Sequence, residues 1–417
     1  MKPKDLNYMS LNGTQYFDGS KWVCPMNFEK EIKGEKTRER IYIHDVTLRD
    51  GEQTCGLTWN EDQRVRIGVA LNDLGVKSIE VGMPVVSEEN RRAIRRLVDM
   101  NLDSEIVPFA RALRKDIDAS LECGAKRVVV EHAVNPYDNE YVYGVSAEQV
   151  IDRVVSAIGY AREQGMKPTF MGWDTTRSTF DYVFKVFTEI ARQAKPESIV
   201  FVDSFGVASP FTIEFVFSEL SRAMPEVPLE FHVHNEFGLA MGSVFAAVRG
   251  GASGVHSSIN GLGERTGNVA TEEVAAGLKL LMGIDTGVKL EKIGYTSRLV
   301  EDISKIPVAN NKPVVGKRLF WVESGIVVDA IDKLNEAGIE PAMTPYLPSL
   351  VGMGEVQVKL GAFSGQASVK YWLKRMGISV SDDQLEELTE IVRKEGRIRG
   401  TVLELDEFKK IVSDYLA

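Results

Sequence analysis

Cysteine and histidine are scarce in this chain, and long apolar runs and an excess of basic residues are absent from it. The three cysteines, Cys24, Cys55 and Cys123, are odd in number and widely separated, so a disulfide framework is not expected and a reducing cytoplasm is the expected compartment. No stretch approaches the ~18 consecutive apolar residues of a membrane helix, and the first residues lack the apolar core of an export signal. The sequence therefore predicts a cytoplasmic protein with no membrane partner.

The charge balance argues against nucleic acid as a partner. The net charge is −10 and the isoelectric point is near 5.3, whereas phosphate backbones are bound by basic patches. With 44% hydrophobic and 26% charged residues, the composition is that of a soluble globular protein. A chain of 417 residues is long enough for a barrel of about 250 residues with further segments attached.

From about residue 40, short apolar runs alternate with amphipathic segments of helical length. The eight runs cover residues 41–48, 78–83, 105–110, 127–133, 167–173, 198–204, 229–234 and 254–260. The eight intervening segments cover residues 60–75, 86–101, 112–122, 146–164, 178–194, 210–223, 238–250 and 271–283, and several begin with a residue suited to an N-cap. Apolar strands that alternate with helices form a parallel sheet covered on both faces. Eight such units predict a (β/α)8 TIM barrel, with a doubly wound open sheet as the weaker alternative.

In a barrel of this kind the chemically active residues gather at the carboxyl ends of the strands. The first strand ends in Arg49, Asp50 and Glu52 beside a glycine, and the seventh carries His232 and His234, two residues apart on one face. Taken alone, the first cluster could equally be a salt bridge at a strand end. The second cluster favours a catalytic mouth.

Asp50, His232 and His234 form a candidate metal site. Two neutral imidazoles and one carboxylate bind divalent cations of the Mn, Zn, Fe or Co class and leave positions open for substrate. Only five histidines occur in the chain, and two of them share this strand end. Asn268 could add a neutral oxygen ligand, although an asparagine in a Gly-Asn turn more often serves backbone geometry. Buried histidines bonded to backbone groups are the alternative.

A cation flanked by Arg49 can polarise the ketone of a 2-oxoacid. It binds the carboxylate and ketone oxygens and stabilises the developing alkoxide as a Lewis acid. The permanently charged guanidinium of Arg49 suits the same oxygen. The pocket is therefore expected to make or break a carbon–carbon bond next to a carboxylate.

Five motifs in order resemble the DRE-TIM metallolyase superfamily, in the branch of homocitrate, isopropylmalate and citramalate synthases. The motifs are HDVTLRDGEQT (44–54), WDTTRS (173–178), VDSFGVASP (202–210), FHVHNEFGLA (231–240) and NGLGERTGN (260–268). The resemblance implies a TIM barrel with Mn²⁺, Mg²⁺ or Zn²⁺ on Asp50, His232 and His234, and with Asn268 close by. It implies that Arg49 and Glu52 act around the metal-bound oxoacid and that Glu264 belongs to the acid/base set. The implied reaction condenses an acyl-CoA such as acetyl-CoA with a 2-oxoacid and then releases CoA by hydrolysis.

The resemblance also implies a domain organisation and a homodimer. The predicted segments are an N-terminal lead-in (1–38), the catalytic barrel (39–290), helical subdomain I (291–366) and helical subdomain II (367–417). Members of the branch exchange these C-terminal helices between two subunits.

The C-terminal part departs from the branch at the residues expected to act as base. Val322 and Val327 replace two histidines, and no histidine follows His256. Another group such as Glu323, Glu264 or Tyr346 could take the proton, and a carboxylate could do so if desolvation raised its pKa toward neutrality. Alternatively, the protein is a metal-dependent lyase or aldolase that handles the proton inside the barrel. A third possibility is a protein that binds its ligands without catalysis.

The substrate contacts are expected at the strand ends. The predicted substrate-binding residues are Arg49, His132, Asp174, Arg177 and Ser204. Glu131 and His132 would change the charge and volume beside the oxoacid, although His132 could equally pack beneath the strand end. The choice among pyruvate, oxaloacetate, 2-oxoglutarate and a branched 2-oxoacid stays open.

Overall fold

The structure is a computed structural model that describes residues 13–417. It divides into two compact units: one is Pro25–Val308, and the other joins the described residues up to Cys24 with Ala309–Ala417. The predicted boundaries at residues 38 and 290 both fall inside the first unit. The division of the C-terminal part into two helical subdomains stays a prediction.

The first unit is built on one parallel sheet. Its strands are β1 (Tyr42–Asp45), β2 (Ser78–Glu80), β3 (Glu105–Val107), β4 (Phe109–Arg111), β5 (Arg127–Ala133), β6 (Lys167–Trp173), β7 (Ile199–Asp203), β8 (Leu229–Val233) and β9 (Gly254–Ser257). The order is β3-β2-β1-β9-β8-β7-β6-β5-β4, with every pairing parallel. Strands β3 and β4 are consecutive halves of one strand, separated at Pro108, which has no N–H to donate to the ladder. The sheet therefore closes on itself with eight strand positions, and the predicted TIM barrel is confirmed.

Helices surround the barrel. They are α1 (Lys30–Lys33), α2 (Glu61–Leu74), α3 (Glu88–Asp99), α4 (Arg114–Glu122), α5 (Ala147–Glu163), α6 (Phe180–Ala194), α7 (Pro210–Ala223), α8 (Ala240–Gly250), α9 (Thr271–Met282) and α10 (Ile293–Ser304). Helices α2 to α9 lie within the eight predicted amphipathic segments, whereas α1 and α10 lie outside them. The predicted caps are present, since the side chains of Asn60, Ser87 and Ser146 each accept a hydrogen bond from the third backbone N–H of the helix that follows. Within residues 13–417, no helix combines the length and the apolar character needed to cross a membrane.

Alternation along each strand decides which side chains enter the barrel. Val129 of β5 and Met171 of β6 belong to one buried cluster with residues of β3, β4 and β7, so they point inward. Glu131 is two residues after Val129 and therefore also points inward, whereas His132 points toward the helices. This parity determines the composition of the mouth of the barrel.

The second unit is mainly helical. It contains β10 (Trp321–Val322), α11 (Gly325–Glu336), β11 (Gln357–Val358), α12 (Gln366–Arg375), α13 (Asp382–Arg399) and α14 (Leu405–Leu416). Helices α12 to α14 pack around a core that includes Val369, Leu388, Val392 and Phe408. The helices predicted for the C-terminal part are therefore present.

Candidate active site

The turn after β1 is held in one conformation by a buried carboxylate. Asp45 ends the strand and accepts hydrogen bonds from the Thr47 N–H (2.9 Å) and the Thr271 hydroxyl (2.8 Å). The next residues turn back over the barrel, so Arg49 and Asp50 are both buried. A loop fixed in this way presents its charged side chains to the mouth without further ordering on ligand binding.

Asp50, His232 and His234 converge as the sequence predicts. The two imidazole Nε2 atoms are 3.3 Å apart. The Asp50 carboxylate lies 3.6 Å from Nε2 of His232 and 3.9 Å from Nε2 of His234. Asn268 donates to Asp50 Oδ1 at 3.0 Å. All four predicted metal residues are therefore neighbours.

These residues fit a divalent cation. Burial, reinforced by the neighbouring His234, lowers the pKa of His232 well below its usual value, and burial also lowers the pKa of His234. Both imidazoles are therefore neutral and have a lone pair to share. The Asn268 Oδ1 atom is buried beside them with no hydrogen-bond partner among the described residues. A cation would satisfy that oxygen, the two nitrogens and the carboxylate together.

Arg49 is positioned by three neighbours. Its Nε donates to Glu80, its Nη1 donates to Asp50 at 2.7 Å, and its guanidinium lies 4.6 Å from the centre of the Phe109 ring. Burial of Glu80 opposes its ionisation, but Arg49 and His44 outweigh that effect and bring the pKa of Glu80 to about 2. The pair is thus fully charged at neutral pH, with Arg49 fixed at the mouth.

A cavity of about 360 Å³ opens at the carboxyl ends of the strands. Arg49, Asp50, His232 and His234 line it together with Ser204 and Glu264. A volume of this size accommodates a small organic acid together with part of a longer ligand.

Asp174 and Arg177 form an ion pair next to the cavity rather than inside it. Asp174 is buried and accepts three hydrogen bonds from Arg177, the shortest at 2.7 Å, and one from Asn135 at 2.6 Å. The Arg177 guanidinium lies 3.9 Å from the ring centre of Phe205, which lines the cavity. Through Phe205 the pair shapes the wall of the cavity.

The structure does not bring Glu52 and His132 to the cavity lining. The Glu52 carboxylate accepts hydrogen bonds from Arg64 Nε and from the Trp59 N–H, both at 3.1 Å. His132 points outward, where its Nδ1 donates to the Ala133 carbonyl at 3.0 Å and its ring faces Tyr143. The predicted alternative for His132, packing beneath the strand end, matches its position.

Glu131 and Arg111 occupy the corresponding wall. They are opposite each other on β5 and β4, and both line the cavity. Arg111 is engaged by Asp116, with Nε 2.7 Å from Oδ2. The sequence places both residues at strand ends, but only strand parity identifies Glu131 rather than His132 as the cavity residue.

The barrel interior carries a buried polar network that the sequence patterns do not indicate. His44 donates from Nε2 to Glu80 at 2.8 Å, and His256 donates from Nε2 to Glu230 at 2.9 Å. The two imidazoles stack with ring centres 4.2 Å apart. Glutamates inside the apolar runs were the available signal, since a buried carboxylate requires a partner.

Glu323, the predicted base, lies in the second compact unit. Its carboxylate accepts a hydrogen bond from the Phe363 N–H at 2.7 Å, and its carbonyl accepts one from the Ser368 hydroxyl at 2.9 Å. Within that unit it connects the segment before α11 to the segment before α12.

The chain is similar in sequence to several known proteins. The family model described as HMGL-like matches residues 40–300. A homocitrate synthase AksA from Methanocaldococcus jannaschii is 36% identical over 401 residues, which cover 95% of this chain and 94% of that protein. A 2-isopropylmalate synthase from the same organism is 38% identical over 369 residues, 88% of this chain and 69% of that protein. An (R)-citramalate synthase CimA, also from that organism, is 36% identical over 366 residues, 88% of this chain and 73% of that protein.

Among solved structures, a hydroxymethylglutaryl-CoA lyase from Pseudomonas aeruginosa shares the fold. The TM-score is 0.58 at 21% identity, covering 66% of this chain and 96% of that one. The structural likeness supports the barrel. The sequence matches confirm the resemblance to the synthase branch that the five motifs indicate.

Proposed function

Because the chain belongs to the HMGL-like family, we propose that it is a metal-dependent synthase that condenses an acyl-CoA, in the first place acetyl-CoA, with a 2-oxoacid. The products are a 2-hydroxy acid with one more carboxylate and free CoA. The observation that carries this proposal is the convergence of Asp50, His232 and His234 beside Arg49 in one cavity. It occurs in a chain whose relatives, over most of its length, are synthases of this kind by name.

The residues divide into a metal-holding group and a substrate-orienting group. Asp50, His232, His234 and Asn268 would hold the cation, which when bound supplies Lewis-acid polarisation of the keto group. Arg49 donates to the keto oxygen as negative charge develops there, and its contacts with Glu80 and Phe109 keep it in place. Ser204 and Glu264 line the same cavity, which supports contacts of both side chains with the rest of the substrate.

Glu52 and the Asp174–Arg177 pair are proposed as positioning residues. The Glu52 contacts with Arg64 and the Trp59 N–H fix the loop that follows the metal ligand Asp50. The hydrogen bonds from Arg177 to Asp174 fix the side chain that stacks on Phe205.

The proposal is tested by CoA release. Purified protein with Mg²⁺ or Mn²⁺ and acetyl-CoA is incubated with pyruvate, oxaloacetate, 2-oxoglutarate and a branched 2-oxoacid in turn, and free thiol is measured. We expect thiol release that requires one of these oxoacids and is abolished by chelation. Release without any oxoacid, or none with every oxoacid, contradicts the synthase.

A metal-dependent lyase or aldolase is the second candidate, because the described C-terminal unit contains no histidine to act as base. It predicts the reverse chemistry, so a 2-hydroxy acid or its CoA ester would be cleaved to a 2-oxoacid in the absence of acetyl-CoA. Measuring 2-oxoacid production in that direction separates the two.

We also propose a cytoplasmic homodimer, on the basis of the resemblance to the synthase branch. Light scattering of the purified full chain is expected to give twice the monomer mass of 46.3 kDa. A monomer at micromolar concentration contradicts it.

A further inference from the structure

Glu131 presents an unpartnered carboxylate to the cavity. It lies on β5 in register with Arg111 on β4 and Met171 on β6, and it lines the same cavity as the predicted metal residues. The two guanidinium groups nearest to it are already engaged, Arg111 by Asp116 and Arg49 by Glu80 and Asp50. Among residues 13–417, no side chain or backbone group hydrogen-bonds its carboxylate.

None of the five histidines is available to act as a base in the cavity. His232 and His234 belong to the metal set, and His132 points outward to the Ala133 carbonyl. His44 and His256 are held by buried glutamates below the mouth. The described residues include every histidine of the chain. Each imidazole therefore either belongs to the proposed metal site or is held by a hydrogen bond away from the cavity.

The other carboxylates at the mouth already form ion pairs or hydrogen bonds. Asp50 is bonded to Arg49 and Asn268. The Glu264 side chain is 55% exposed and pairs with Arg265 at 3.1 Å. Glu52 is held by Arg64. Among the carboxylates of residues 13–417 that line the cavity, Glu131 alone has no hydrogen-bond or ion-pair partner on either oxygen.

The surroundings of Glu131 make it a stronger base than an ordinary carboxylate. Burial raises its pKa from 4.5 to about 7, and the charges of Arg49 and Arg111 act in the opposite direction. The Glu131 charge extends to Tyr143, since burial first and that charge second raise the pKa of the phenol. A base whose pKa lies near the working pH transfers protons most effectively.

We propose that Glu131 is the general base that takes a proton from the methyl group of the acyl-CoA, in place of the histidines that Val322 and Val327 replace. This inference rests on the synthase proposed above.

The proton balance of the step is complete. The methyl C–H bond breaks and its proton goes to a Glu131 oxygen, while the electron pair forms the new bond to the keto carbon. The keto π electrons move to the keto oxygen, near Arg49, and that oxygen takes a proton from water. Water then hydrolyses the thioester to the acid and CoA, and Glu131 returns its proton to solvent.

The experiment compares Glu131→Gln with the wild type in two assays. The first is condensation, followed as CoA release. The second is deuterium uptake by the acetyl-CoA methyl group in D₂O with Mg²⁺ and oxamate, which mimics a 2-oxoacid but accepts no carbon nucleophile; mass spectrometry measures the label. Glu122→Gln, at an exposed glutamate on α4, is the matched control.

The expected result is a selective loss of proton transfer. In Glu131→Gln, kcat and the exchange rate fall by roughly 10²- to 10⁴-fold, while the KM of the 2-oxoacid changes less than about threefold. Mg²⁺ binding and the circular dichroism spectrum stay unchanged. Glu131→Asp keeps part of the activity. The wild-type kcat is expected to fall on the acidic side of its pH profile with an apparent pKa of about 7 or lower, because a bound cation favours the charged carboxylate. This acidic limb should be absent in Glu131→Gln.

Each contrary outcome has one meaning. If Glu131→Gln condenses and exchanges like the wild type, Glu131 is not the base; loss of exchange in Glu323→Gln alone would point to Glu323 instead. If the wild type condenses no oxoacid, the proposed synthase activity is wrong, but the exchange assay still tests the role of Glu131. Loss of methyl exchange in Glu131→Gln and not in Glu122→Gln supports Glu131 as the base. Absence of methyl exchange in the wild type overturns that role.

Discussion

Arg49 and Glu80 form a buried ion pair in which each charge depends on the other. The Glu80 side chain is fully buried and that of Arg49 is 8% exposed. Replacing one partner leaves the other charged inside the barrel, which costs roughly 3–5 kcal/mol.

We therefore expect Arg49→Ala to lower the free energy of unfolding by about 3–5 kcal/mol, in addition to abolishing condensation. Urea unfolding of the full chain measures the change. The double variant Arg49→Ala with Glu80→Gln should regain part of the stability but none of the activity. Equal stability of the single and double variants would show that the two charges are not coupled.

The metal set gives a second prediction at the scale of single residues. His234→Gln removes one of two nitrogen donors, so Mn²⁺ affinity should fall by at least roughly 100-fold, more than loss of a ligand's hydrogen-bond partner usually costs. Isothermal titration calorimetry measures the affinity.

His132→Gln is the matched control for metal binding, because His132 points away from the cavity. Its Mn²⁺ affinity should equal that of the wild type. Equal weakening in the two variants would place the cation elsewhere.

The sequence alone could predict which residues meet at this site, but only in part which side of a strand each side chain occupies. Asp50, His232 and His234 stand out because two of only five histidines share one strand end. The side of the strand on which Glu131 and His132 lie depends on the register of β5 with its neighbours. A shift of one residue would exchange the two.

At the scale of elements, β6 approaches α6 closely at one glycine. A Cβ on Gly172 would lie 2.9 Å from Val134 Cγ2 and 3.0 Å from the Phe187 ring. Gly172→Ala is expected to cost about 1–3 kcal/mol through overpacking, measured as a lower urea midpoint.

Gly159 on α5 is the control for that substitution, because no atom lies within 4 Å of its Cβ position. Gly159→Ala should stabilise the protein by about 0.4–1 kcal/mol, since alanine restricts the unfolded chain. A similar effect of both substitutions would mean that the packing of β6 against α6 is not responsible.

The helices and strands themselves follow closely from local patterns. The predicted segment 146–164 contains α5 (Ala147–Glu163), and Ser146 caps it because a hydroxyl before the first turn accepts a free N–H. The interruption at Pro108 was not predicted, because its effect on pairing depends on which strands lie on either side.

At the scale of the whole molecule, the buried glutamates couple the stability of the barrel to pH. The pKa of Glu80 is about 2 in the folded protein and 4.5 in its usual range. A lowered pKa contributes stability that is fully present above pH 4.5 and is lost as the pH falls through about 2.

We expect the difference in unfolding free energy between the wild type and Glu80→Gln to shrink steadily below pH 4.5. Urea unfolding at several pH values between 7 and 3 measures it. The comparison isolates Glu80 from Asp45, whose pKa is raised by burial to about 6 and which acts in the opposite direction. A difference independent of pH would contradict the assigned ion pair.

The sequence by itself determined the alternation of strands and helices, the family, and which residues at two strand ends are candidates to hold a metal. These features are local: periodicity, caps and motif spacing are carried by neighbouring residues. Only the tertiary structure decided that Glu52 is held by Arg64 outside the cavity, that Glu131 lines the cavity while His132 does not, and that His44 and His256 are held by Glu80 and Glu230. Those outcomes depend on strand register and on partners far apart in the chain. The reason is that a buried charged group is stable only beside a group of opposite charge or a hydrogen-bond partner.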